Sequence, residues 1–132
     1  MALSVCDGGE LLALKALVNH TAQGENLVLK LYKSNTTPAE GDTAITYTEA
    51  DFTGYSAATL TGSSWVVTGN PITYAKQTFT STAGSQNQAV YGYYIVRAIS
   101  LDLVYSELFT DGPYTIVNDQ DKIEVTPSLG AN

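Results

Sequence analysis

At 132 residues and 14.0 kDa the chain has room for one domain, since a second would be left without a core of its own. Hydrophobic residues make up 44% and charged residues only 14%, so much of the surface must be uncharged Ser, Thr, Asn, Gln and Tyr. Thirteen acidic against six basic residues give a net charge of −7 and a pI near 4.3, which excludes a phosphate-neutralising patch and argues against nucleic acid and anionic membranes as partners.

The single cysteine, Cys6, rules out an intramolecular disulfide, so stability has to come from the core, as suits a reducing compartment. Its neighbours Val5 and Asp7 and the Gly8-Gly9 pair offer no base to activate a thiolate, and the residue reads as a small packed side chain. Residues 1–9 read as an N-terminal arm, apolar and hinged at the glycines, and residues 10–132 as one domain.

Helical periodicity occurs once, over residues 10–20, where Leu11, Leu14 and Val18, with Leu12 and Leu17, fall at three- and four-residue steps. The run LLALKALV is too short for a membrane span, carries Lys15, and has neither the basic flank nor the cleavage site of a secretory signal. Without such a signal the sequons at Asn19 and Asn35 are chance matches. From Asn26 to Lys33 the period becomes two, with Leu27, Leu29 and Leu31 on one face of a half-buried strand. Ser34 to Asp42 is dense in turn formers and reads as a surface loop.

Short strands are then expected at 44–48, 56–61, 64–68, 72–80, 89–99, 103–109, 114–117 and 122–126, with Asn118 to Asp121 turning the last two into a hairpin and TPSLGAN running out as a tail. Many short strands separated by Gly, Pro, Asn and Asp specify an all-β chain: an antiparallel, jelly-roll-like β-sandwich with one short N-terminal helix.

Catalytic patterns are missing. The one histidine, His20, sits at the end of the expected helix, and the sequence holds no nucleophile elbow, phosphate loop or zinc spacing, so neither enzyme activity nor a cofactor is expected. The carboxylate pairs Glu49/Asp51 and Asp119/Asp121 complete neither a glycosidase pair nor a calcium loop and read as solvated charges. Trp65, in SSWVV, reads as core.

Nine tyrosines against three phenylalanines favour rings with one apolar and one wet end. In AVYGYYIVRAI, residues 89–99, neither face is plainly polar, and LVYSELF, residues 103–109, repeats the feature. A strand of this kind is covered on both sides, here by the helix or by a second subunit. Since one short helix covers too little, a symmetric homo-oligomer is expected.

The order LKLYKSNTTP, TEADFTGYSAATLTGSSW and YGYYIV resembles small virion structural proteins of tailed bacteriophages, including those of cyanobacteria, of the capsid decoration or cement type. The resemblance runs from the helix to the last hairpin. It implies a protein of the virion, assembled in the host cytoplasm, that binds the outer surface of the major capsid protein, commonly as a trimer. A tail or neck component fits the same residues, and a carbohydrate-binding β-sandwich with stacking tyrosines is the alternative of a different class. The candidate interface residues are Leu3 and Val5 of the arm, Pro38 of the loop, and Tyr32, Tyr91, Tyr93 and Tyr105 of the two-sided strands.

Overall fold

Eleven short strands, one α-helix and two 3-10 turns make up the chain in a computed structural model that describes residues 4–19 and 24–130. All strand pairings are antiparallel, which gives the expected all-β architecture with one helix. The central sheet has the order β1-β8-β7-β2-β3, formed by Ser4–Val5, Leu103–Leu108, Gly92–Arg97, Leu27–Tyr32 and Ala58–Leu60. Three two-stranded ladders accompany it: β5 (Gln77–Thr80) with β10 (Lys122–Val125), β6 (Gln88–Val90) with β9 (Tyr114–Ile116), and β4 (Ile72–Thr73) with β11 (Ser128–Leu129).

One face of the sheet, carrying Leu29, Leu31, Leu60, Tyr93, Ile95 and Tyr105, meets Phe79, Val90, Ile116, Ile123, Val125 and Leu129 of the ladders in the main core. The opposite face carries Tyr32, Tyr94, Val96 and Leu103, buried with Cys6 and Tyr47 in a second cluster. Strands β2 and β7 therefore show apolar side chains on both faces because both faces are interior. The second face is covered by this chain itself, through the segment that runs from the end of β2 to Tyr47, so no partner is required to explain the two-sided pattern.

Several local expectations are corrected. Residues 4–5 of the arm form β1 on the chain's own β8, with Val5 opposite Tyr105, and the helix α1 spans Asp7–Asn19, starting three residues before position 10. The early start is made feasible by Gly9, where a Cβ would lie 2.6 Å from the Val104 carbonyl oxygen; only hydrogen lets the first turn press against β8 there. Val104 is the extra residue of a β-bulge, since Val96 pairs with Leu103 and Ile95 with Tyr105.

The expected strand at 44–48 is a 3-10 turn at Ala44–Thr46, closed by the Thr46 N–H on the Thr43 carbonyl and the Thr43 N–H on Thr46 Oγ1. Hydroxyls that bond the local backbone compete with the ladder, and here they win. Residues 64–68 form no strand beyond a single Val66–Thr73 bridge, and Val66 and Val67 are exposed. The run 72–80 divides into β4 and β5, and 89–99 into β6 and β7 at Tyr91.

The last hairpin does not form either. β9 and β10 flank a reversal but pair with β6 and β5, so that residues 77–90 run against residues 114–125 as one interrupted ladder. Within the expected tail, Ser128–Leu129 forms β11.

Candidate functional site

The candidate residues divide by burial. Tyr32, Tyr93 and Tyr105 are buried in this chain: the Tyr32 hydroxyl donates to the Thr36 carbonyl at 3.0 Å and that of Tyr105 to the Gly130 carbonyl at 2.7 Å, while Tyr93 faces Glu107 from the neighbouring strand. As surface contacts these three are corrected. Tyr91, Val5 and Pro38 are partly buried, Tyr91 against the second cluster and Val5 against the main core, and Leu3 lies outside the described residues, as does His20.

The other chemistry-bearing groups are structural. Cys6 Sγ donates to the Leu103 carbonyl at 2.7 Å, and burial pushes its thiol above the ordinary range, away from thiolate reactivity. Glu49 accepts the Tyr55 hydroxyl at 2.8 Å and pairs with Lys30; Asp51 pairs with Lys33 at 2.8 Å and accepts from Gln88. Asp121 accepts the N–H groups of Val117 and Asn118, which hold its carboxyl below the ordinary range. Among the described residues, no three His, Cys, Asp or Glu side chains converge to hold a metal ion, and no helix is long and apolar enough to cross a membrane.

The accessible hydrophobic residues are mostly aliphatic. On α1, Leu12 packs against the main core while Leu11, Leu14, Leu17 and Val18 are all more than half exposed. The helix can tolerate this because it satisfies its own backbone hydrogen bonds and needs to dock only one stripe. Beside Leu11 lie two further exposed aliphatic residues from separate segments: Ile45 of the 3-10 turn, 94% exposed, and Leu101 of the β7–β8 turn, 56% exposed. The three line a groove of about 590 Å³. On the other side of the helix, Leu14 and Ala13 border a second groove of about 810 Å³ with Val5, Ile72, Val104 and Leu129.

The first groove is held in shape from both flanks. On one side the Tyr47 hydroxyl donates to Asp42 Oδ2 at 2.6 Å and lies 2.8 Å from Ser106 Oγ, anchoring the loop to the outer face of the sheet. Burial, together with the Asp42 carboxylate, raises that hydroxyl's pKa. On the other side Glu25 accepts the N–H groups of Ile99 and Ser100, each at 2.7 Å, and the Ser100 hydroxyl, while Arg97 bridges Glu25 at 2.7 Å and Asp102 at 3.5 Å. The Ser100 contacts, with Arg97 behind them, hold the Glu25 carboxyl below its ordinary range and fix the turn that carries Leu101.

Neither composition nor periodicity marked Ile45 or Leu101. Leu11, Leu14, Leu17 and Val18 were legible as an apolar helix, but nothing in their spacing said that they stay uncovered. Comparison with protein-family models, curated proteins and solved structures finds no match to this chain.

Proposed function

We propose that the chain is a virion structural protein that decorates and stabilises a phage capsid, binding the outer surface of major capsid subunits as a homo-oligomer, with the trimer as its assembled state. The observation that carries this reading is the helix-bearing end, where Leu11, Leu14, Leu17 and Val18 of α1 are all more than half exposed and Leu11 lines one groove with the exposed Ile45 and Leu101. Exposed aliphatic surface gathered at one end of a domain marks a protein–protein contact. Binding that occurs only to the assembled shell opposes its disassembly by mass action. A tail or neck location would use the same face. The carbohydrate-binding alternative has little to stand on, because eight ring–ring contacts tie the aromatic residues to one another and Tyr114 is the one aromatic among the large exposed hydrophobic residues.

The test is direct. Capsids assembled from the major capsid protein of the same phage should gain heat resistance when this chain is added, with saturation at a fixed stoichiometry, and the Leu14→Asp, Leu17→Asp double variant should confer none. Wild-type protein that neither sediments with the shells nor protects them overturns the reading. Sedimentation of the free protein as a stable monomer at micromolar concentration removes the oligomer from it.

A further inference from the structure

We infer that the groove between α1, the 3-10 turn and the β7–β8 turn is a docking site for a basic, aliphatic segment of a partner protein. The inference rests on the reading of this end of the molecule as a contact face and adds the chemistry of what it contacts.

The first ground is conformational. Leu101 has φ of +61° and is largely exposed. A left-handed residue in a solvent-facing turn is normally Gly, Asn or Asp, because a bulky side chain there clashes with its own backbone. The turn is over-determined by Glu25, which holds Ile99 and Ser100, and by the Leu101 N–H on the Arg97 carbonyl at 3.1 Å. A leucine that is 56% exposed at such a position adds little to the core. A local rule broken without benefit to the core is what a functional residue looks like. Ile45, almost fully exposed in the middle of the 3-10 turn, presents a second aliphatic anchor lining the same groove.

The second ground is charge. Among the described residues, Lys30, Lys33, Lys76, Arg97 and Lys122 each pair with a carboxylate. The groove is lined by four carboxylates, Asp7, Glu40, Asp42 and Asp102, against two cations, Lys15 and Arg97, and Arg97 is already held by Glu25 and Asp102. Asp7, Glu40 and Asp42 join none of these ion pairs. An acidic rim around aliphatic walls is complementary to Lys or Arg side chains interleaved with Leu, Ile or Val, and repels a second copy of this acidic chain presented with the same face.

The experiment uses two amphipathic peptides with the same leucine face, one with lysine and one with glutamate on the polar side, titrated against the whole protein by fluorescence anisotropy. The lysine peptide should bind and the glutamate peptide should not. Ile45→Asp should weaken the lysine peptide about tenfold, the loss of one seated aliphatic anchor. Glu40→Gln should weaken it about two- to threefold, as for an exposed ion pair. Asp111→Asn, outside the groove, should leave binding unchanged. Diffuse attraction to an acidic protein predicts the reverse for Ile45→Asp, which adds a negative charge; unchanged or tighter binding by that variant overturns the proposal, as does equal binding of the two peptides. Loss of capsid protection with peptide binding intact would remove the virion reading alone, and capsid protection that survives Ile45→Asp and Glu40→Gln would remove this one alone.

Discussion

Strand β7 and helix α1 both carry runs of apolar side chains, yet the fold treats them in opposite ways. Tyr93 and Ile95 of β7 lie in the main core and Tyr94 and Val96 in the second cluster, each at most 4% exposed. On α1 Gly9 presses on β8 and Leu12 packs against the main core, while Leu11, Leu14, Leu17 and Val18 are all more than half exposed. The strand sits in the middle of a sheet, where every uncovered apolar residue would lie among others, and the loop after β2 crosses over to close it. The helix stands at the margin, and among the described residues no segment crosses its exposed side. Apolar content alone does not separate interior from exposed surface; what separates them is whether the chain returns to cover it.

The comparison breaks most readily with alkali. The Tyr32, Tyr47, Tyr93 and Tyr94 hydroxyls are raised above their ordinary pKa, chiefly by burial, that of Tyr94 to about 12. With folded values above unfolded ones, their contribution to stability is complete below the unfolded value near pH 10 and is lost as pH rises toward the folded values. Each group removes about 1.4 kcal/mol per pH unit in that window, so four of them exhaust a domain's about 5–15 kcal/mol within about one to three units. The phenolate absorbance of these four buried rings should rise only together with loss of far-ultraviolet circular dichroism. Absorbance equivalent to all nine tyrosines while the dichroism stays native would mean that the second face is open.

Next in size is Gly92→Ala. A Cβ at that position would sit 2.1 Å from the Glu107 carbonyl oxygen and 2.6 Å from the Tyr32 hydroxyl, neither free to move, and the cost should reach about 3 kcal/mol in urea unfolding. A shift under about 1 kcal/mol would show that Tyr32 is not fixed over β7. The smallest effect belongs to the helix: Leu17→Gln, at a position 74% exposed, should change stability by no more than about 0.5 kcal/mol. A loss of several times that size would mean that this residue is covered in the free protein, by a second copy, and would erase the contrast.

Much of the fold is legible in the sequence where periodicity and turn chemistry agree. The alternation over Asn26 to Lys33 gives β2, and LVYSELF gives β8 to within a residue. Register and partner choice are not local properties, and there the reading departs. Asn118 to Asp121 does reverse the chain, but the Asp121 carboxylate, the Asp121 N–H on the Asn118 carbonyl and the exchange of backbone bonds with Ser81 tie the turn, so no ladder between β9 and β10 is needed to hold it. The partners are chosen by Ile116 and Ile123, which are buried in the main core. The tyrosines were legible as two-sided and not as self-covered, because the cover is a polar segment whose relevant residue, Tyr47, lies in a run with the pattern of a strand. Of the candidate site, the helix was visible as apolar; Leu101 was not, since its meaning depends on a backbone angle.

The ladder registers also order events in time. β2 takes one partner, β3, from the next stretch of chain and the other, β7, from residues 92–97, while β1 must wait for β8 and β5 for β10. Pairings this distant in sequence close slowly, because a long loop's entropy is spent before any contact rewards it. On the ribosome, a hydrophobic helix and the Leu29–Leu31 strand emerge well before the strands that will shelter the sheet. The helix whose leucines stay exposed in the folded domain is then the same segment that most needs protection from the wrong contacts during synthesis.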